Sequence, residues 1–446
     1  MPQKMHLAFD MSFTHTDGRW RTRGSWIHRN YPDVSMFEEL ARIAERGCID
    51  MIFFGDGTGI PATWQKSEEV GARWGIQWPR QDMAPYITAM SRVAEHVGFG
   101  LTYSSTFMPP FYVARLLNSL DVITNGRMAF NVIASTRRSD AANYGFNELM
   151  EHNSRYERME EFIDVCKALW ASVEPDAFVW DRESGVVCDP AKVHAIDHVG
   201  QFFRVRGPLS TVPSPQGAPV LIQAGGSPRG IKASAHFADH IFAAGPARVA
   251  KIKHRKALDE ALVAEGRDPR SVGILFSTGL VLGETESEAQ AKKDALLTMI
   301  PKEAVGAYLS HNIGYDFSTL PARFSPAQVA AEIAASQASP VSMVQKLAEE
   351  IGPDAEITRD AFFEYGLHVA TGYDRAVAGT PCQLADWMEE EFEATGCRGG
   401  FMISHPYTTP RDTMDVVDYL VPELQRRGRF RTSYEGDTLR ENLSAC

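Results

Sequence analysis

The sequence predicts a single (β/α)8 TIM barrel with several long insertions, and three observations carry that expectation. Eight short apolar runs alternate along the chain with stretches of helical periodicity. The runs are continuous rather than alternating, as parallel strands covered on both faces require. No G-x-G-x-x-G follows any of them, so an open dinucleotide-binding sheet lacks its phosphate fingerprint.

Taken in order, the first strand is expected over His6–Phe13 and the second over Met51–Asp56. Between them Ser35-Met-Phe-Glu38 reads as a capping box, and Met36, Phe37, Leu40, Ile43 and Ala44 keep helical spacing up to Gly47. A helix over Pro85–His96 precedes the strand GFGLTYSS, and one over Tyr112–Ile123 precedes MAFNVIAS (Met128–Ser135). A helix over Arg158–Trp170 leads to PVLIQAGG, and one over Pro228–Phe237 to HIFAAG. The helix Ala247–Ala264 then precedes GILFSTGLVLG, and the last strand, Gly399–Ser404, is followed by a helix over Asp412–Leu424.

One domain spans 1–446, with insertions near 58–83, 136–156, 171–218 and 297–379. Loops this long in a compact fold serve as lids or substrate walls. VHAIDHVGQFFRVRG reads as a hairpin, and Ser325-Pro-Ala-Gln328 as a capped helix start.

Composition narrows the function. A net charge of −12 argues against binding nucleic acid or an anionic membrane, which need a basic face. Six cysteines without a CxxC suggest neither a zinc site nor a disulfide framework. The start MPQKMHLAFDMSF has no long apolar core, and no later stretch approaches the roughly 18 apolar residues of a membrane span, so a cytoplasmic location is expected. His6 and Asp10 have no H-x-H beside them, so no metal is expected, and no G-x-S-x-G points to a serine nucleophile.

Candidate site residues cluster at strand ends. Asp56 closes the second run, either to meet a cofactor hydroxyl or amide or to cap a turn. Thr102 ends the third, where threonine is also an ordinary strand former. Asn131 interrupts an apolar strand, and a buried amide needs partners, from a ligand or from a neighbouring strand. His152 and Tyr156, four residues apart, share one face of a helix; both could meet an anionic oxygen, or pack under a loop. Arg155 and Arg158 fall on other faces and read as solvated. In AGGSPRG, Gly225 and Gly226 allow close approach or positive φ, Ser227 stands at an N-cap and Pro228 at the first helical position. That arrangement is an anion site or simply a well-capped helix. Trp20, Trp26, Trp64, Trp74 and Trp78 either wall a pocket for a flat ligand or form the core of an insertion.

Several long segments in one order carry a resemblance: SLDVITNGRMAFNVIAS, HNSRYERMEEFIDVCKALW, VHAIDHVGQFFRVRGPL, SPQGAPVLIQAGGS and VPELQRRGRFRTSYEGDTLREN. With them the chain resembles the flavin-dependent monooxygenases of the bacterial-luciferase-like superfamily, in the branch of nitrilotriacetate, EDTA and dibenzothiophene-sulfone monooxygenases. The resemblance implies a two-component enzyme that takes reduced FMN from a separate NAD(P)H:flavin reductase and uses dioxygen to oxygenate a small organic substrate. It implies flavin contacts at Asp56, Thr102, Asn131, His152, Tyr156, Gly226 and Ser227, with His152, Tyr156 and Ser227 at the phosphate. A homo-oligomer is also implied. No acid–base residue follows, although His15 in the first loop and His311 in the last insertion are candidates. A deazaflavin-dependent oxidoreductase and a non-catalytic flavin-binding barrel are the alternatives. The chain departs from the branch at FFGD, at STFMPPF and in the arginine-rich first loop, all flanking the expected pocket.

Overall fold

Eight parallel strands close on themselves in the protein, here described from a computed structural model. The structure describes residues 3–12, 18–29, 31–135, 137–245, 247–335, 342–404 and 408–444. The strands are β1 (His6–Asp10), β2 (Met51–Phe54), β3 (Gly98–Ser104), β4 (Met128–Ile133), β5 (Val220–Ala224), β6 (His240–Ala244), β7 (Gly273–Leu282) and β8 (Gly399–Ser404). Each pairs with its sequence neighbour, and β8 pairs with β1 to complete the ring. All four residues of β2 and all ten of β7 are buried, which is why these segments read as unbroken apolar runs. Closure at β1–β8 pairs His6 with Gly400, where any β-carbon would run into the His6 carbonyl.

The outer helices are α1 (Val34–Arg46), α2 (Met83–Met90), α3 (Pro110–Ile123), α4 (His152–Trp170), α5 (Pro228–Phe237), α6 (Arg248–Ala264), α7 (Pro381–Ala394) and α8, which runs from Pro410 to Arg426 through a π turn at Val416–Leu420. Three of the helix boundaries that differ from the sequence expectation go with identifiable hydrogen bonds. Asp33, not Ser35, caps α1, because its carboxylate takes the Ser35 N–H at 2.8 Å. The second helix stops at Met90 instead of reaching His96, because the Glu45 carboxylate on α1 captures the N–H groups of His96 and Val97 at 3.0 and 2.8 Å. The fourth begins at His152, six residues before the expected Arg158, with Glu151 accepting the Ser154 N–H.

The C-terminal tail seals the floor at the strands' N-terminal ends. There Asp50 accepts hydrogen bonds from Leu7 N–H at 2.8 Å and Arg431 Nη2 at 2.6 Å, with His6 Nδ1 at 3.1 Å. Leu439 and Leu443 pack under Ala8, Met51, Phe53 and Met402.

The last insertion holds a second apolar core around Phe317, Phe324 and Phe362, into which Trp64, Val70 and Ile76 of the first insertion pack. Its Ser325 start is a capping box: Ser325 Oγ accepts Gln328 N–H at 3.3 Å and Gln328 Oε1 accepts Ser325 N–H at 2.8 Å. A short strand, Ala376–Gly379, pairs with Gly279–Leu282 of β7 and ties this body to the barrel rim. The expected hairpin forms with pairs His198–Val205 and Val199–Arg204.

Candidate active site at the barrel mouth

The C-terminal strand ends place Thr102 and Asn131 side by side, as register partners on β3 and β4. Asn131 Nδ2 donates to Thr102 Oγ1 at 2.9 Å, and Thr102 Oγ1 donates onward to the Phe54 carbonyl at 2.8 Å. Asn131 is 3% exposed, yet its Oδ1 has no partner among the described residues. Of the two alternatives left by the sequence, a neighbouring strand satisfies the amide nitrogen, while the oxygen stays open. Asp56 lies two residues beyond β2 and accepts the Gly57 N–H at 2.7 Å. Burial pushes its carboxyl pKa up, opposed by that N–H and by Arg80.

A second group forms beside the first, after the neighbouring strand β5, at the start of α5. Ser227 is the N-cap, and its Oγ accepts the Gly230 N–H at 3.0 Å. A β-carbon on Gly230 would lie 3.2 Å from both Ser227 Oγ and Tyr156 Oη, so the hydroxyls of α4 and α5 converge there. His152 stacks obliquely on Tyr156, 5.2 Å between ring centres. Arg229 lies 5.1 Å over the same ring and grips Glu160 with two bonds of 2.7 and 2.9 Å, which fixes α5 against α4. Neither Gly225 nor Gly226 adopts positive φ, so of the two roles glycine could play here only close approach remains. Among the described residues nothing lies within 4 Å of a β-carbon on Gly226.

The first two insertions line a cavity of about 670 Å³ that reaches the first group at Asp56, with Trp78, Arg80, Tyr103, Met108 and Tyr144 among its walls. Phe107 and Tyr144 stack over its edge at 5.2 Å. Of the five early tryptophans only Trp78 faces this cavity; Trp26 and Trp64 are buried in cores.

Other candidates fall differently. Arg155 is not solvated but buried, donating Nη1 to the Ser135 carbonyl, and Arg158 lies 4.2 Å over the Phe203 ring. His311 is buried at 5% exposure in the helix Lys302–Ile313, with Nε2 unpartnered. Burial, helped by Arg137 and Arg80, pulls its pKa down to about 3, so it is neutral at physiological pH. His15 lies outside the described residues. Sequence reasoning missed Gln77, Arg80 and Arg137, which meet only because two insertions fold together. The arginine pair in TRRSD was the available signal. Among the described residues no group of three or more His, Cys, Asp or Glu is arranged to hold a metal ion. No described helix is long and apolar enough to cross a membrane.

Residues 9–399 match the model of the luciferase-like monooxygenase family. The chain belongs to that family. This luciferase-like monooxygenase is 34% identical over 458 residues to a dibenzothiophene-sulfone monooxygenase of Rhodococcus erythropolis (strain XP), covering 99% of this chain and 96% of the relative. It is equally similar, with the same coverage, to nitrilotriacetate monooxygenase component A of Aminobacter aminovorans. Among solved structures, a riboflavin lyase holding a modified FMN superposes with a TM-score of 0.87 at 28% identity, covering 100% of this chain and 96% of that one. The family and its named relatives make the protein a flavin-dependent monooxygenase.

Proposed function

We propose that this luciferase-like monooxygenase binds reduced FMN in the barrel mouth, receives it from a separate NAD(P)H:flavin reductase, and uses dioxygen to put one oxygen atom into a small organic substrate. The single observation that carries the reading is the buried Asn131 Oδ1 within β4, an acceptor with no donor among the described residues. The residues present fit a flavin. Asn131, Thr102 and Asp56 would meet its polar ring edge, while Ser227, Tyr156 and His152 at the start of α5 and α4 would hold its phosphate, with Gly226 leaving room for it. When bound, the flavin supplies the electrons and the reaction with dioxygen. The chain orients the cofactor, and the Phe107–Tyr144 stack shields the cavity edge from water. The relative named component A supports supply of the flavin by another protein. The whole of 1–446 works as one unit, cytoplasmic and assembled as a homo-oligomer.

Anaerobic titration with reduced FMN tests this. Wild type should bind in the micromolar range, roughly 8 kcal/mol. Ser227→Ala should weaken binding about tenfold, the loss of one charge-assisted hydrogen bond. Unchanged affinity in that variant would remove Ser227 from the phosphate site. Oxygen uptake should require reductase, NAD(P)H and substrate together; turnover without flavin would end the reading.

A further inference from the structure

A groove beside the main cavity carries chemistry that the flavin site does not use. It measures about 560 Å³, within the range of small-ligand sites. The loop before α3 and the first turn of that helix supply Phe107, Met108 and Phe111 to its wall, and the hairpin insertion supplies Phe202, Phe203 and Val205. Met108 also lines the main cavity, so the two spaces share part of one wall.

Arg158, Arg204 and Arg206 line the same groove, and among the described residues no carboxylate does, in a chain whose net charge is −12. Arg158 comes from α4, lies 4.2 Å over the Phe203 ring and donates Nε to the Ser105 carbonyl at 3.3 Å. Its two terminal nitrogens have no partner among the described residues, and neither has the Arg204 guanidinium. Arg206 approaches Asp197 at 4.0 Å, but those side chains are 81% and 73% exposed, so water screens the pair. Glu161, the carboxylate that acts on Arg158, is engaged by the hairpin. It accepts the N–H groups of Phe202 and Phe203 at 3.0 and 2.9 Å and lies 3.0 Å from His198 Nε2. Burial lowers the Arg158 pKa against the pull of Glu161, as expected of a cation whose desolvation is only partly offset.

Phenylalanine walls alone select any apolar ligand and arginines alone any acid; together they select a ring that carries an acid group. We propose that this groove is a second ligand site, for an aromatic ring bearing a phosphate, sulfonate or carboxylate. The ring packs on the phenylalanines, and the planar forks of Arg158 and Arg204 take the acid oxygens in pairs. Two sources have this chemistry: the flavin phosphate on its way to or from the mouth, and an aromatic acid. Only the first of them rests on the flavin reading above.

The test titrates the full-length protein calorimetrically with 1-naphthyl phosphate, naphthalene-1-sulfonate and 1-naphthoate, and with 1-naphthol as the uncharged ring. At least one acid should bind at least tenfold more tightly than 1-naphthol. The double variant Arg204→Gln/Arg206→Gln, both exposed positions, should bring that ratio to within about twofold with circular dichroism and reduced-FMN affinity unchanged, and Arg158→Gln should lower it as well. Ser227→Ala, at the mouth, should leave the ratio as it is. Displacement of the bound acid by oxidised FMN but not by riboflavin, in Ser227→Ala as in wild type, marks the ligand as the flavin phosphate; binding that FMN does not displace marks an aromatic acid. Equal binding of the acids and 1-naphthol overturns the proposal, as does a ratio that survives in the folded double variant. A ratio lost in Ser227→Ala would put the acid in the mouth, and a double variant that loses the ratio and changes its sedimentation would make the groove a contact between copies; either result also overturns it. These titrations are read on flavin-free protein, so a failure of reduced-FMN binding is seen separately.

Discussion

Asn131→Val separates a ligand-facing amide from a structural one, because the two readings predict opposite balances. In the flavin-free protein the wild-type Oδ1 is a buried acceptor without a donor, which costs about 1–3 kcal/mol. Valine removes that cost and suits a strand. It also removes the 2.9 Å bond to Thr102, worth about 1 kcal/mol, while Thr102 keeps its own bond to the Phe54 carbonyl. The net change in unfolding free energy should therefore fall between about 0 and +2 kcal/mol, an unusual result for a core substitution. Flavin affinity should move the other way. Loss of one hydrogen bond to a desolvated acceptor costs about 1.5 kcal/mol, or roughly tenfold in Kd. Urea unfolding of flavin-free protein gives the first number and anaerobic titration with reduced FMN the second. A variant destabilised by more than about 2 kcal/mol with unchanged flavin affinity would show that Asn131 serves packing, and the argument from its open oxygen would fail.

Gly226→Ala should leave stability within about 0.5 kcal/mol, since its β-carbon meets nothing within 4 Å, yet weaken reduced-FMN binding; equal affinity would place the cofactor elsewhere. His240, buried beside His6, has its pKa lowered to about 4 from 6.5, first by burial and then by His6. The unfolded chain binds this proton first, so stability is present above about pH 6.5 and is lost as pH falls toward 4, by about 3 kcal/mol. The difference between wild type and His240→Gln in denaturation midpoints from pH 7.5 to 4.5 reads that loss, and parallel curves would contradict it. Arg431→Met leaves Asp50 buried beside His6 without its guanidinium and should cost about 3–5 kcal/mol in urea unfolding; a cost under about 1 kcal/mol would show the floor to be held by packing alone.

The strands were legible because each is buried on both faces, so composition alone marks MIFF and GILFSTGLVL. Helix ends were less so. Ser35 and Asp33 both carry capping chemistry, and which one wins depends on backbone angles that no spacing rule encodes. The end of α2 depends on Glu45, about fifty residues earlier in the chain, and was invisible locally. In the site, Ser227 was readable as an N-cap from Gly-Gly-Ser-Pro, and Asn131 as a misfit in an apolar run. That Tyr156 meets Ser227 follows only from α4 packing on α5. Arg137 and Arg80 belong to different insertions, brought together through Gln77 and Asn312 from a third region of the chain. Side chains whose neighbours lie tens to hundreds of residues away leave no periodic trace.

The ten-residue strand β7 belongs to two bodies at once. Its first part closes the barrel between β6 and β8, and its last three residues, Leu280–Leu282, are paired among the described residues with Val377–Gly379. Trimming the chain to a minimal barrel by excising the last insertion would therefore uncover an apolar strand edge with unsatisfied amides, a ready template for sticking to other chains. The insertion protects the barrel from aggregation as well as anchoring, through Asn312, the Gln77 side chain of the cavity wall, so it cannot easily be discarded.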